Sequence, residues 1–178
     1  NTFQFRQATT TQSYGTLDAG ILRATNETGQ WSLESMFKYV ATGNSEAVVI
    51  GRAGCHAGIY IMSDNTVFGA IKTNQANCWT GALLINGGAL VVGNSYHIVM
   101  TYNNLVGKLY INGVLVSTQT FDGATYDFAP YNTTMYVGGL GSIYNPNIDM
   151  HLARAYSKEL SATEVAANFN SCRGRASI

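Results

Sequence analysis

The alternation of apolar and polar residues between Tyr96 and Phe121 predicts consecutive antiparallel strands. The first of these strands presents two opposite faces, with Tyr96, Ile98, Met100 and Tyr102 on one and His97, Val99 and Thr101 on the other. Asn112-Gly113 separates the last two strands, and Asn-Gly between alternating apolar residues is the strongest short-range signal for a type I′ hairpin turn. Because apolar residues occur on both faces, we expect this sheet to be covered on both sides.

Glycine, asparagine and aspartate divide the rest of the chain into short apolar segments. WSLESMFKYV, residues 31–40, alternates regularly and predicts a half-buried strand. Further strands are predicted in VVIGRAG, in GIYIMSD and TVFGAIKT around a turn at Asp64-Asn65, and in GALLI and GALVV. Short strands with turn signals about every 8 to 12 residues favour an all-β fold, an antiparallel jelly-roll β-sandwich.

One segment near the C-terminus has a helical pattern. Ser161 and Glu164 form an S-x-x-E capping box, and Val165 and Phe169 lie four residues apart on one face. We expect one short C-terminal helix that buries this face against the sandwich, because so short a helix is not stable alone.

The length of 178 residues is enough for one domain. We divide the chain into an extended N-terminal arm (residues 1–13), the sandwich (14–172) and a C-terminal tail (173–178). The arm could add to a neighbouring subunit or fold back as an edge strand. The chain begins at Asn1, which is typical of a processed product or of part of a longer polypeptide.

Charge is scarce and balanced. Charged residues make up 11% of the chain, against about 25% in ordinary soluble proteins, and the formal net charge is zero. Without a long-range field, nucleic acid is not expected as a partner. No apolar run approaches the roughly 20 residues of a membrane span, so we expect no membrane partner either.

Two segments resemble those of a known family. VGNSYHIVMTYNNLVGKLYINGVLV, residues 92–116, is similar to the W-x-H-V-A-x-T-Y and L-Y-V-N-G-x-L-V runs of laminin-G-like, concanavalin A-like lectin domains, with Tyr96 in place of the usual tryptophan. MYVGGLGS and HLARAYSKELSATEVAANF resemble the I-G-G and D-x-V-R-I-Y-N-R-A-L-S-x-x-E-I ending of that family, with His151 where aspartate is common. The resemblance covers roughly residues 14 to 170 and implies the lectin-like sandwich.

The end of the chain, NFNSCRGRASI, is similar to a tail found on such domains in tailed-phage structural proteins. This resemblance implies a non-enzymatic adhesion module on a bacteriophage virion surface, as a capsid decoration or a tail-fibre component. Its expected partners are other virion proteins and host-surface glycans, and we expect a homo-oligomer or a module repeated on the particle. The alternatives are a purely structural capsid cement without a ligand and an extracellular laminin-G-like adhesion domain.

The spacing of the acidic residues argues against a glycosidase. Retaining glycosidases need two carboxyl groups about 5 Å apart, which glucanases of this superfamily commonly supply from alternating positions of one strand. No two acidic residues lie two apart on a predicted strand, and no G-x-S-x-G motif occurs. We therefore predict that the chain is not an enzyme.

Carbohydrate recognition is the activity that the loop residues favour. Trp79 lies in an amide-rich segment whose indole could stack on a sugar ring while neighbouring amides bind hydroxyl groups. A second candidate segment contains one tyrosine and two asparagines. The candidate residues are Asn74, Gln75, Asn77 and Trp79 in the first segment and Tyr144, Asn145 and Asn147 in the second.

Calcium and a disulfide are two further expectations. Laminin-G-like domains often hold Ca²⁺, and Asp64 and Asp122 are the candidate ligands here, although both also suit ordinary turns. No other cofactor is expected. A hairpin at Asp64-Asn65 would bring Cys55 and Cys78 near each other, so these two are a candidate disulfide, with free thiols as the alternative.

Overall fold

The computed structural model describes residues 3–5, 14–18, 29–41, 46–52, 57–72, 82–120, 134–139 and 144–175. Its strands are β1 (Phe3–Phe5), β2 (Gly15–Asp18), β3 (Gln30–Ala41), β4 (Ala47–Gly51), β5 (Ala57–Ile61), β6 (Thr66–Lys72), β7 (Ala82–Ala89), β8 (Ser95–Asn103), β9 (Val106–Ile111), β10 (Val114–Thr120), β11 (Thr134–Val137) and β12 (Asn147–Tyr156). Helix α1 (Ala162–Cys172) follows and continues into a 3₁₀ turn at Arg173–Arg175.

The strands form two antiparallel sheets. Sheet I has the order β1-β12-β3-β8-β9-β10, and sheet II has the order β2-β11-β4-β5-β6-β7. Apolar side chains from the two inner faces form one core. This architecture confirms the predicted all-β antiparallel sandwich with a short C-terminal helix.

Strand β3 shows how the sheets bury their residues. Trp31, Leu33, Phe37 and Tyr39 lie in the core between the sheets, as the alternation predicted. The prediction of a half-buried strand is wrong, however, because β3 is buried on both faces from Trp31 to Phe37. On the outer face Met36 packs against Cys172 of α1, so the helix supplies the second cover.

The hairpin of β9 and β10 has the predicted turn. Asn112 and Gly113 both have positive φ, 51° and 80°. The Asn112 side-chain oxygen accepts a hydrogen bond from the His97 amide (2.9 Å), and the Asn112 amide donates to the His97 carbonyl (2.7 Å). The turn is thereby fixed to the start of β8.

Strand β7 differs from its prediction. The sequence suggested two strands separated at Asn86, Gly87 and Gly88, whereas one strand continues from Ala82 to Ala89. A Cβ atom at Gly87 would lie 2.7 Å from Leu109, so glycine is needed there for close packing against sheet I. Gly88 has a φ of 85° and occurs where the pairing with β6 shifts its register. The glycines therefore bend this strand without ending it.

Helix α1 begins with the predicted capping box. The Ser161 hydroxyl accepts from the Glu164 amide (3.2 Å), and the Glu164 carboxylate accepts from the Ser161 amide (2.8 Å). Val165 is fully buried on the outer face of sheet I with Val99 of β8. The helix therefore packs on the sheet through the face that the sequence predicted.

Ser161→Ala is expected to lower the free energy of unfolding by about 1 kcal/mol, because the first turn of α1 loses its N-cap. Denaturant unfolding followed by tryptophan fluorescence would measure this change. The exposed Ser157→Ala variant is the control and should leave stability unchanged. Equal stability of the two variants would contradict the capping role.

The N-terminal strand lies at the edge of sheet I. Residues Phe3–Phe5 pair antiparallel with β12, with Phe3 opposite Met150 and Phe5 opposite Ile148. Of the two alternatives for the arm, the structure has the edge strand on its own domain. Within the described part of the chain, no helix is long and apolar enough to cross a membrane.

Candidate functional site

A row of large side chains crosses the outer face of sheet II. We call it the aromatic row, and it consists of Val48 of β4, Tyr60 of β5, Phe68 of β6 and Tyr136 of β11. Val48 pairs with Tyr60, and Tyr60 pairs with Phe68, so these side chains are cross-strand neighbours. The rings of Tyr60 and Phe68 are stacked with centroids 5.5 Å apart.

Tyr60 is held at the centre of this row. Its hydroxyl donates a hydrogen bond to the Arg52 carbonyl (2.8 Å), and burial raises its pKa far above the ordinary value for tyrosine. A Cβ atom on Gly58 would lie 2.9 Å from the Tyr60 ring, so the missing side chain makes room for that ring. Tyr60 is therefore a buried, neutral support for the surface around it.

The segment before β12 packs against the aromatic row. The Tyr144 ring is half-buried against the row, and the Tyr144 carbonyl accepts from the Val48 amide (3.0 Å). Asn145 is only 2% exposed and lies so close to Gly139 that a Cβ atom there would be 1.9 Å from its side-chain oxygen. Asn147 is the half-buried first residue of β12. In this predicted segment Tyr144 and Asn147 reach the surface, whereas the buried Asn145 side chain fits a structural role.

Tyrosines beside the row reach solvent. Tyr14, at the start of β2, is 39% exposed, and its ring meets that of Tyr136 edge-on with centroids 5.7 Å apart. Tyr136 of the row and the neighbouring Tyr144 are both half-buried. An exposed or half-exposed aromatic surface therefore lies at one side of sheet II. Sequence reasoning did not include Tyr14 or Tyr136, since their proximity depends on the pairing of β2 with β11.

The first predicted sugar-binding segment, with Asn74, Gln75, Asn77 and Trp79, lies outside the described residues. Its flanks are described, and Lys72 at the end of β6 pairs with Ala82 at the start of β7. The pairings place these flanks at the end of sheet II where β2 and β4 end and β11 begins. Tyr14, which precedes β2, and Tyr144, which accepts from Val48 near the start of β4, lie towards the opposite end. Cys55 and Cys78 also lie outside the described residues, and their disulfide stays a prediction.

Asp64, one of the two calcium candidates, lies in the turn between β5 and β6. Its carboxylate accepts a hydrogen bond from the Thr66 amide (2.9 Å), and this bond lowers its pKa. No group of three or more His, Cys, Asp or Glu side chains is placed to hold a metal ion in the described ranges. Asp64 thus shapes the β5–β6 turn, while Asp122 lies outside the residues that the structure describes.

A cluster of polar side chains lies on the outer face of sheet I, beneath α1. At its centre is the fully buried Glu34 of β3, and we call this group the Glu34 cluster. Glu34 lies directly opposite Arg154 of β12, and its Oε2 atom is 3.5 Å from the Arg154 guanidinium. The His97 ring lies 2.7 Å from Oε1, Tyr156 donates its hydroxyl to Oε2, and Asn168 of α1 donates to Oε2 from 3.3 Å.

The electrostatics of the Glu34 cluster favour an ionised carboxylate. Burial is the largest influence and opposes the charge, but hydrogen bonds from His97 and Tyr156 and the charge of Arg154 together lower the Glu34 pKa. Burial and the bond to Glu34 raise the pKa of Tyr156. The cluster combines one carboxylate with several donors, which is suited to joining β3, β8, β12 and α1.

Comparison with known protein families matches residues 9–166 to the model described as the concanavalin A-like lectin/glucanases superfamily. The chain belongs to this superfamily. The match includes all of the described strands from β2 to β12, so the lectin-like sandwich extends over almost the whole of the described chain. Among curated protein sequences, none matches this lectin-like domain.

Solved structures with the same fold include receptor-binding domains. The binding domain of botulinum neurotoxin serotype D/C matches with a TM-score of 0.69 and 17% identity, over 96% of this chain and 43% of that one. The receptor-binding domain of botulinum neurotoxin type G matches with a TM-score of 0.61 and 13% identity, over 80% of this chain and 38% of that one. At these identities the likeness establishes the fold alone.

A sialidase of Trypanosoma rangeli also shares the fold, with a TM-score of 0.59 and 17% identity. The match covers 82% of the lectin-like domain and 23% of the sialidase chain, so the domain spans about a quarter of that enzyme. This finding corrects the prediction that the chain is not an enzyme, because a domain of the same fold forms part of an enzyme. The missing glucanase spacing argues against one catalytic arrangement only.

Proposed function

We propose that this domain binds carbohydrate and serves as an adhesion module on an exposed surface. The observation that carries the proposal is the lectin-superfamily match over residues 9–166, together with the open tyrosine surface beside the aromatic row. The similarity to proteins described as receptor-binding domains supports a recognition role. The low content of charged residues suits a neutral ligand such as a glycan.

The binding mechanism combines stacking with amide hydrogen bonds. The proposal contains two separate sites, the Trp79 segment and the surface formed by Tyr14 and Tyr144. In each, aromatic rings would stack on the apolar face of a sugar, and neighbouring asparagine or glutamine side chains would bind its hydroxyl groups. Each such site is weak, and repetition of the module on a particle would raise the overall avidity. Ca²⁺ bound at Asp64 or Asp122 could contribute to such a site, so binding is measured with and without the ion.

The proposed setting is the surface of a phage virion, with other virion proteins and host-surface glycans as partners. It rests on the similarity of residues 168–178 to the tail of phage structural proteins. Arg173 is exposed in the 3₁₀ turn after α1, where it could pair with acidic groups on the particle. A capsid cement without ligand would use the same sandwich, and the exposed apolar strand β10 favours such protein contacts.

The test is a glycan-array screen of the domain displayed on beads, with and without Ca²⁺. We expect Trp79→Ala to weaken the bound glycan at least about tenfold, since losing a stacked ring costs about 1.4 kcal/mol. Glycan binding by Tyr14→Ala shows whether the tyrosine surface contacts the glycan. Leu84→Ala, which removes a 41% exposed apolar side chain of β7, is the matched control and should bind normally.

Two results would contradict the proposal. One is the absence of binding across the array, with the displayed domain shown to be folded. The other is a bound glycan whose affinity is the same in Trp79→Ala, Tyr14→Ala and Leu84→Ala, because the contact would then lie elsewhere on the sandwich.

A further inference from the structure

One carboxylate on the outer face of sheet I contacts both an amine and an amide. Glu159 lies in the segment between β12 and α1, and its Oε1 atom is 2.7 Å from Nζ of Lys108 on β9. Its Oε2 atom accepts a hydrogen bond from Nδ2 of Asn103, the last residue of β8, also at 2.7 Å. The amine and the amide are therefore bound to the two oxygens of a single carboxyl group.

The pairing of β8 with β9 places the amine and the amide on one face of the sheet. Lys108 lies directly opposite Thr101, and Asn103 follows Thr101 by two residues, on the same face of β8. Diagonal neighbours of this kind are about 7 to 8 Å apart. The flexible four-carbon side chain of lysine can span that distance, so the Lys108 amine can reach the Asn103 side chain.

The segment that carries Glu159 is fixed to the sheet on both sides of this residue. Ser32 of β3 donates its hydroxyl to the Lys158 carbonyl (2.8 Å) and accepts from the Leu160 amide (2.9 Å). The Leu160 side chain is buried and packs in a cluster with Val165 of α1. Glu159 is thereby positioned within about 2.6 to 3.2 Å of both nitrogens, the range that general acid–base catalysis requires.

Two buried oxygen atoms belong to the same part of the sheet. Oδ1 of Asn103 and Oγ1 of Thr101 have no hydrogen-bond partner within the part of the chain that the structure describes. Negative charge would develop on Oδ1 if an amine attacked the amide carbon of Asn103. The Thr101 hydroxyl has a proton to donate, and it lies on the same face of β8 as this oxygen.

We propose that Lys108 and Asn103 form an isopeptide bond, with Glu159 carrying the proton between them. The neutral Lys108 amine attacks Cγ of Asn103, so that the Nζ–Cγ bond forms and the Cγ–Nδ2 bond breaks. Oε1 of Glu159 takes a proton from Nζ, and Oε2 delivers one to Nδ2, which leaves as ammonia. The reaction needs no co-reactant, and its product joins β8 to β9 covalently. This inference does not depend on carbohydrate binding.

The protonation state of Lys108 sets the rate of this reaction. The hydrogen bond to Glu159 is the main influence that raises the pKa of Lys108, so the side chain is an ammonium group at neutral pH. Tyr110 on the same strand acts in the same direction, and Thr118, opposite Lys108 on β10, carries no charge. Bond formation is therefore slow at neutral pH and becomes about tenfold faster with each pH unit up to that pKa.

Intact-mass spectrometry of the purified domain, incubated between about pH 7 and pH 10, tests the proposal. We expect the loss of one ammonia, about 17 Da, at a rate that rises with pH. Trypsin should then no longer cleave after Lys108, and fragment spectra should show a link between residues 103 and 108. Lys108→Arg should lose no ammonia, because its guanidinium group stays charged. Asn103→Asp should also keep its mass, since it has no amide to displace.

Two further variants test the role of the carboxylate. Glu159→Gln keeps the shape of the side chain but is not a base, so we expect the reaction to slow at least about a hundredfold. Lys158→Arg changes the exposed pair of Lys158 with Glu164 and should react at the unmodified rate. Circular dichroism spectra would show that each variant is folded.

Three results would overturn the proposal. One is an unchanged mass at every pH. Another is a mass loss that persists in Lys108→Arg, because the ammonia would then come from a cyclic imide at an asparagine. The third is an unmodified rate in Glu159→Gln, which would show that the carboxylate carries no proton in the reaction.

Discussion

Replacing Glu34 by alanine is expected to lower the free energy of unfolding by about 3 kcal/mol, because a fully buried carboxylate is removed and the groups that hydrogen-bond to it lose their partner. The fully buried carboxylate lies 2.7 Å from the His97 ring and 3.5 Å from the Arg154 guanidinium. Without it, the buried His97 and the half-buried Tyr156 and Asn168 lose their common hydrogen-bond partner. The variant therefore weakens the attachment of α1 and β12 to β3 at once.

Glu159→Ala is the matched control for burial. Glu159 is 2.7 Å from its cationic partner, Lys108, but these side chains are 19% and 32% exposed. Water screens such a pair, so its loss should cost less than about 1 kcal/mol. Urea unfolding of both variants at neutral pH would measure the difference. Similar losses in the two variants would show that burial does not determine the contribution of Glu34.

The pH dependence of stability gives a second readout for Glu34. The pKa of Glu34 in the folded state is lowered from an ordinary value of 4.5. The stabilisation that the ionised carboxylate gives the fold is therefore present above pH 4.5 and is lost as the pH falls through the folded-state pKa. The unmodified domain should therefore lose stability on acidification below about pH 4.5. Glu34→Gln cannot titrate, so its stability should fall less over the same interval, and parallel pH profiles would contradict the assignment.

The local features of the fold were predictable because each depends on neighbouring residues. The Asn112-Gly113 turn follows from the φ preferences of two residues, and the capping box of α1 follows from Ser161 and Glu164. The double burial of β3 could not be derived in this way. It requires α1, more than 100 residues later in the chain, to pack on the outer face of the strand.

The candidate sites were less predictable, since they depend on strand order. Glu34 and His97 lie on different predicted strands, and only the adjacency of β3 and β8 brings their side chains together. Tyr14 and Tyr136 meet because β2 pairs with β11 across the sequence. Asn145 was expected at the surface as part of an asparagine-rich loop, whereas the absence of a side chain at Gly139 creates the space that buries it.

Gly139→Ala is expected to destabilise the domain by about 3 kcal/mol and to displace the segment that contains Tyr144. An added Cβ atom would lie 1.9 Å from the Asn145 side-chain oxygen and 2.7 Å from its Cγ atom, far inside contact distance. Gly139 also has a φ of 146°, a conformation that residues with side chains rarely adopt. The substitution therefore combines a steric clash with backbone strain.

Two further variants separate the clash from the strain. Gly88 has a φ of 85° with nothing within 4 Å of an added Cβ, so Gly88→Ala reports strain alone and should cost about 1 to 2 kcal/mol. Asn145→Ala removes the atoms that clash, and combining it with Gly139→Ala should recover about 1 kcal/mol or more relative to additivity. If the two substitutions are additive in urea unfolding, the Gly139–Asn145 contact does not hold this segment. If they are coupled, glycan binding gives a further measurement. Binding that is lost in Gly139→Ala and restored in the double variant would show that the Gly139–Asn145 contact positions Tyr144 for recognition.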